Sequence, residues 1–357
     1  MKYLRLSADT PTLMKWFLGL LLLTLALPIS AQEETEEDDL AILNDLKQMS
    51  LRDLGEVEIR LDDTFDVFDG LIQAKKVTVA TGIKQYTDRA PSVTTVITAQ
   101  DIEAMGARTL EEALRSVPGL QVSYNWFNIP VYTLRGISSI DNPEVLMLIN
   151  SIRVNDSFKG SKGFNWNGFP ISAISRVEII RGPGSAVYGA DAFSGVINII
   201  TKTAQEIGGT EAGIRLGNFN TQDAWVLHGS RWHGFDLVAI AELNRTDGHR
   251  RTVESDAQTV WDEIFGTHAS LAPGSYGSEI TTYDARIDIA KQHWRFRTGI
   301  HSGDDMGAGV GVGQALDPTK PMSVERINAD LTYHDQQFTD NWDVQAQLSY
   351  LYTGFEF

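Results

Sequence analysis

Residues 175–202 read SRVEIIRGPGSAVYGADAFSGVINIITK, and this stretch decides the fold. It is a strand, a glycine-rich loop and a second strand. Ser175 to Ile180 and Val196 to Thr201 are rich in β-formers and partly alternate. Gly182, Pro183, Gly184, Gly189 and Gly195 punctuate the turns between them. Gly182 and Gly184 open a dinucleotide-binding spacing, but its third glycine falls on Val187. Gly184 and Gly189 match a phosphate loop, but Ala190 and Asp191 stand where Lys and Ser/Thr are required. The loop is therefore structural and cradles no nucleotide.

The ends and the composition narrow the classes. Thirty Lys and Arg face 47 Asp and Glu, a net charge of −17. That balance argues against nucleic acid, which needs a basic face. There is no cysteine, so neither a disulfide framework nor a thiolate metal site is available. Lys2, Arg5 and Lys15 precede the apolar run Trp16 to Leu27, which Pro28 ends. Ile29-Ser30-Ala31 then offers a cleavage site, giving residues 1–31 the order of a secretory signal. The run is shorter than the ~20 residues of a spanning helix. No later stretch is apolar enough to span as a helix, so membrane insertion must use strands.

Residues 32–89 form an acidic leader: Glu33 to Asp69 holds fourteen acidic residues against Lys47, Arg52 and Arg60. Residues 90–205 alternate strands and short helices. Val93 to Thr98 is a strand, and Thr98 caps the helix after it. Thr109 and Glu112 have capping-box spacing for a second helix, with Leu110, Ala113 and Leu114 on its inner face. Pro118-Gly119 stops that helix. Leu120 to Tyr124 and Val131 to Arg135 are strands. Val145 to Ile149 is a buried strand by its continuous apolar run, and Ile152 to Val154 follows a turn.

Residues 206–357 are the barrel part, and from Thr210 onward the pattern changes to alternation. Seven strands are expected: around Ala212 to Leu216, Ala224 to Gly229, Phe235 to Leu243, Thr281 to Ile289, Trp294 to Ile300, Val324 to Leu331 and Trp342 to Tyr350. Tight turns at Trp232-His233-Gly234 and Lys291-Gln292-His293 contrast with long loops at Asp247 to Ser278 and Gly303 to Met322. Short turns at one rim and long loops at the other characterise an outer-membrane barrel. A water-soluble β-sandwich is the competing reading of the alternation alone.

Several motifs together resemble the TonB-dependent outer-membrane receptors. They are Thr98 with Gln100-Asp101-Ile102, the Arg135-Gly136 step, the Arg181-Gly182-Pro183 turn, the Tyr188-Gly189 turn and the strand Gly195-Val196-Ile197-Asn198-Ile199. The leader words MSLRDLGEVEI are similar to those found before the plug in that family. One departure is Ser151, where the family has Gly. The resemblance implies an α/β plug domain over 90–205, followed by an antiparallel transmembrane β-barrel that is incomplete here. About seven strands are present of roughly 22. A barrel of that size needs roughly 400 residues or more, so the chain is expected to be the N-terminal fragment of a longer receptor.

The resemblance also implies the activity: uptake of a scarce solute through the outer membrane of a Gram-negative bacterium, most often a ferric siderophore. Uptake is driven by TonB with its inner-membrane energising complex, and no bond is made or broken. Cobalamin, haem, a carbohydrate or another metal chelate are alternative cargoes; a secreted enzyme with a β domain is a distant one. No catalytic set, metal-ligand set or cofactor motif is visible. Every His lies in the barrel part, without metal-binding spacing.

Candidate site residues follow. Loops favour small polar residues, yet the segments that correspond to the family's apical plug loops carry Tyr124, Trp126, Phe127, Phe158, Phe164, Trp166 and Phe169. Such exposed-looking rings suit a flat ligand, and Arg153, Lys159 and Lys162 suit an anion; the alternative is packing against the barrel wall. Val77, Thr78, Val79 and Ala80 resemble a TonB box, which binds by strand addition; Val57-Glu58-Ile59 is a second candidate. Arg135 and Arg181 match plug arginines that pair with barrel glutamates as a plug-barrel latch, with Glu178 as a local partner.

Overall fold

The computed structural model describes residues 76–77, 85–86, 92–155, 160–163, 166, 168–317, 322–339 and 342–356. Two short strands, β1 (Lys76–Val77) and β2 (Gln85–Tyr86), pair antiparallel. β3 (Thr94–Thr98) leads into α1 (Ala99–Met105). The Thr98 hydroxyl accepts from the Asp101 N–H at 3.1 Å, and the Asp101 carboxylate accepts from the Thr98 N–H at 2.9 Å. This reciprocal cap satisfies two otherwise orphaned donors. α2 (Leu110–Leu114) buries Leu110, Ala113 and Leu114 completely. Its cap differs from the expected box. The Thr109 hydroxyl accepts from the Glu112 N–H, but the Glu112 carboxylate turns to the backbone and guanidinium of Arg108.

The hairpin β4 (Leu120–Tyr124) and β5 (Pro130–Leu134) follows. Then come β6 (Val145–Ile149), β7 (Ile152–Arg153), β8 (Ile174–Ile180) and β9 (Gly195–Thr201). With β3 they make one mixed sheet in the order β3-β8-β9-β6-β7, in which β6 and β9 are parallel. A parallel pair is covered on both faces. On one side Met147, Ile149, Val177, Ile179, Ile197 and Ile199 join the main core. On the other, Leu146, Leu148, Ile180 and Val196 pack against Ala192 and Tyr188.

That second layer explains the glycine-rich stretch. The loop folds back onto the sheet through a helical turn, α3 (Ser185–Tyr188), and a 3-10 turn at Ala190–Ala192. It is not the plain loop that its sequence suggests. A Cβ on Gly195 would run into Leu134 and would lie 2.5 Å from the Ile180 carbonyl oxygen, so only glycine fits. The Asn150-Ser151 turn has positive φ at both residues, 50° and 68°. Ser151 is held there by its N–H donating to Asn198 Oδ1 at 3.0 Å, which is how the chain manages without the family's glycine.

α4 (Ala204–Ile207) joins the plug to the barrel strands. These are β10 (Gly209–Gly217), β11 (Thr221–Trp232) and β12 (Phe235–Thr246). After a loop containing β13 (Thr252–Val253), α5 (Ala257–Phe265) and β14 (Gly274–Ser275) come β15 (Ile280–Lys291), β16 (Trp294–Met306), β17 (Met322–Thr339) and β18 (Trp342–Glu356). The seven long strands form one antiparallel meander. All seven expected strands are present, and their ends extend further through polar residues.

The meander is apolar outside, and its inward face is polar at β15 and β17, the reverse of a water-soluble sheet; at β11 and β12 Leu227, Val238 and Ile240 instead join the plug core. Asp284, Arg286, Asp288, Arg326 and Asp330 are buried against the plug side. Ile214, Leu216 and Leu348 point away and are 76, 75 and 74% exposed. Arg297 pairs with Asp330 at 2.7 Å across neighbouring strands. Trp232, Trp294 and Trp342 stand exposed at the tight-turn rim, where an interfacial aromatic girdle belongs.

Candidate functional site

The β4–β5 loop carries a pocket lined by several of the candidate residues. The Asn125 side-chain carbonyl accepts from the Phe127 and Ile129 N–H groups, both at 3.0 Å. This local bonding replaces ladder bonds and fixes a tight turn. It lifts Trp126 and Phe127 together, with ring centroids 5.9 Å apart. The Trp126 carbonyl accepts from the Val310 N–H at 2.8 Å. Phe127 packs beside Met306, Met322 and Val324. The loop therefore sits under the long barrel loops. A cavity of about 270 Å³ opens there, lined by Trp126, Phe127, Ile140, Asp141, Lys162 and Gly163 among others.

Lys162 is 3% exposed. Its Nζ donates to Asn142 Oδ1 at 3.0 Å and lies 4.3 Å above the Tyr132 ring. Burial lowers the amine to about 7, against the opposing pull of Glu111 and Glu144. Tyr132 links this amine to the interior. Its hydroxyl, pushed well above 10 by burial and by Glu111, donates to Glu111 Oε1 at 3.0 Å. The Trp166 indole N–H donates to the same oxygen at 3.2 Å.

Lys162, Trp166 and Phe169 do not stand exposed at the mouth. Trp166 is 2% and Phe169 6% exposed. The physical reason lies in the barrel wall. Arg326 stacks over Trp166 at 4.9 Å, and Arg286 over Phe169 at 4.2 Å. Arg326 Nη2 also donates to the Gly168 carbonyl at 3.2 Å. Arg286 is held in place by two 2.7 Å bonds to Asp284, which also meets His301 Nδ1 at 2.9 Å. Ser172 donates its hydroxyl to Glu242 of β12. Trp166 and residues 168–172 are thus clamped to three wall strands.

Sequence reasoning missed these wall partners. The available signal was the polar residue at every second position of β15 and β17, which marks a lumen face. A second cavity of about 550 Å³ lies beside the clamp, between Arg108, Glu111 and Phe169 of the plug and Asp223, Glu242 and Asp284 of the wall.

The other candidates are scattered. Tyr124 ends β4 and is exposed, as expected of it. Arg153 is occupied inside the plug, ion-paired with Asp191 and donating to the Tyr188 carbonyl at 2.9 Å. Glu178 is fully buried and ion-paired with Arg176 at 2.9 Å, rather than serving Arg135 and Arg181 as expected. Arg176 and Glu178 stand two residues apart on one face of β8, which brings the guanidinium within reach of the carboxylate. Arg181 Nη1 donates to the Pro118 carbonyl at 3.0 Å. The Arg135 guanidinium covers the bare face of Gly182. Val77 lies in β1, while Thr78, Val79, Ala80, Phe158, Lys159 and Phe164 lie outside the described residues. Among the described residues no group of three or more His, Asp or Glu is arranged to hold a metal.

Comparison with known proteins fits this geometry. Residues 87–196 match the TonB-dependent Receptor Plug Domain. The chain carries that plug domain. It is 34% identical over 211 residues to the vitamin B12 transporter BtuB of Vibrio vulnificus, covering 54% of this chain and 33% of the relative. The corresponding Vibrio cholerae protein is 38% identical over 136 residues, 38% of this chain and 21% of its own. The chain thus spans at most about a third of the length of these relatives. The pyoverdine outer membrane receptor FpvA of Pseudomonas aeruginosa superposes with a TM-score of 0.57 at 15% identity, covering 78% of this chain and 40% of FpvA. The copper transporter OprC superposes with a TM-score of 0.50 at 15% identity, covering 73% of this chain and 37% of its own. At that identity these neighbours establish the fold alone.

Proposed function

We propose that this chain is the plug and opening barrel wall of an outer-membrane receptor that takes up a ferric siderophore under TonB. The observation that carries the reading is the Trp126–Phe127 pocket, placed beneath the long barrel loops and next to Lys162. Paired rings and an amine suit a flat, oxygen-rich chelate. Trp126, Phe127 and Lys162 are the contacts of first choice, and Tyr124 flanks them. Residues 1–31 act as a cleaved signal, 32–89 as a periplasmic leader, and Val77 to Ala80 as the strand that TonB captures. Arg135 and Arg181 face the remaining barrel wall as a second latch. The role is transport, without catalysis.

Cobalamin is the second reading, favoured by the two Vibrio relatives. Uptake of radiolabelled ferric siderophores and of cyanocobalamin by cells expressing the full-length receptor, with and without TonB, separates the two. Saturable, TonB-dependent uptake that falls at least tenfold in Trp126→Ala is expected. Uptake that is independent of TonB, or unchanged in Trp126→Ala, refutes the reading.

A further inference from the structure

The cavity of about 550 Å³ between plug and wall shares no lining residue with the Trp126–Phe127 pocket. Its lining includes the carboxylates of Glu111 and Glu112 on α2, and of Asp223, Glu242 and Asp284 on the wall. Three of these are neutralised: Glu112 by Arg108, Asp223 by Arg215 and Asp284 by Arg286. Glu111 and Glu242 differ. Glu111 is 5% exposed, and its Oε1 accepts both the Tyr132 hydroxyl at 3.0 Å and the Trp166 indole N–H at 3.2 Å. Glu242 Oε2 accepts both the hydroxyl and the N–H of Ser172. Among the described residues neither carboxylate has a cation, and no donor meets Glu111 Oε2 or Glu242 Oε1.

A charge taken out of water is stable only when it is paired and hydrogen-bonded. Two half-satisfied carboxylates on one cavity therefore define a place for a positive charge. The lining also says which kind. Among the described residues no group of three or more His, Asp or Glu is arranged to hold a metal, so a compact ion lacks its cage. The volume is that of a small-molecule site, and Phe169, Pro170 and Ile280 give it an apolar side. We propose that this cavity binds an organic molecule through a primary ammonium group. An ammonium has three donors and no acceptor, the complement of two bare carboxylate oxygens. Glu111 belongs to the plug and Glu242 to β12, so the bound ammonium is an ionic bridge across the seam between them. The inference goes beyond the ligand reading of the Trp126–Phe127 pocket and does not depend on it.

1,4-Diaminobutane and 1,4-butanediol are matched probes: the same chain, one with ammonium ends and one with neutral hydroxyls. Their binding to the full-length, detergent-solubilised receptor can be measured by isothermal titration calorimetry at pH 8. The diamine is expected to bind about tenfold tighter than the diol or more, the scale of one charge-assisted hydrogen bond. Glu242→Gln and Glu111→Gln should each weaken the diamine by about tenfold and leave the diol unchanged. Trp126→Ala should leave the diamine unchanged, since that ring lines the other pocket. Equal binding of the two probes to the wild type, or a preference that survives both glutamine variants, overturns the proposal. So does displacement of the diamine by an equal concentration of magnesium, which would mark a metal site. Loss of diamine binding in Trp126→Ala, with binding kept in Glu242→Gln, would place the amine in the other pocket and overturn it too. If one glutamine variant does not fold, the other and the wild-type comparison still decide.

Discussion

Replacing Trp166 with Phe tests how the plug interior is tied to the wall. The ring stays, and the indole N–H that donates to Glu111 at 3.2 Å is lost. A hydrogen bond to a carboxylate contributes about 1.5–3 kcal/mol. The stack under Arg326 weakens with the smaller ring by about 0.5 kcal/mol. The expected cost is therefore about 2–3 kcal/mol, which speeds hydrogen exchange of the α2 and β5 amides by about 30-fold or more. Most of that cost comes from a buried carboxylate short of a donor. In a Glu111→Gln background the same substitution should cost only about 1 kcal/mol, as for a neutral bond. The coupling in this double-mutant cycle is then about 1–2 kcal/mol. Equal acceleration of exchange in both backgrounds would refute the assignment of Glu111 as the shared acceptor.

Three further outcomes are expected. Gly195→Ala places a methyl group against Leu134 and the Ile180 carbonyl; it should destabilise the plug by about 1–3 kcal/mol, seen as a lower urea midpoint, and an unchanged midpoint would contradict the packing. Arg326→Met removes the guanidinium from Trp166 and from the Gly168 carbonyl; maleimide labelling of a Ser172→Cys thiol should speed at least tenfold, and equal rates would show that the clamp holds nothing. Asp256 caps α5: burial alone would raise its carboxyl, but bonds from the Leu316 N–H, the Ser270 hydroxyl and Thr259 bring it to about 2. Its contribution is present above about pH 4 and lost as pH falls toward 2, so protease cleavage in 257–271 should rise across that window, and a flat profile would count against the cap.

Local rules carried the plug. The strand limits at 174–180 and 195–201, the Thr98 and Thr109 caps and the buried face of α2 all follow from periodicity and capping chemistry. The barrel strands were legible because polar and apolar residues alternate along most of them, as in β15. What escaped depends on contacts far apart in sequence. Nothing in the segment around Trp166 says that Arg326 will lie over it. Aromatics in a loop were therefore read as facing the mouth, while the wall supplies the cations that bury them. The same holds for Lys162, a loop lysine that becomes buried only because β5 and the loop before β6 close over it. α5 was missed although Val260, Trp261, Ile264 and Phe265 recur at helical spacing behind the Asp256 cap; in the structure all four are exposed.

The order of the plug sheet has a mechanical consequence. β3 is an edge strand, paired only with β8 within its sheet, and it is the sheet strand nearest the N-terminal end of the chain. A load applied at Lys76 reaches the β3–β8 seam before it reaches the four strands behind it. That seam is five residues long, against the seven-residue strands β8 and β9 at the centre. The central strand β9 is anchored through α4 into β10. The plug is thus built as a weak seam in series with a strong block: tension can strip one strand and leave the hydrophobic centre and its tether intact.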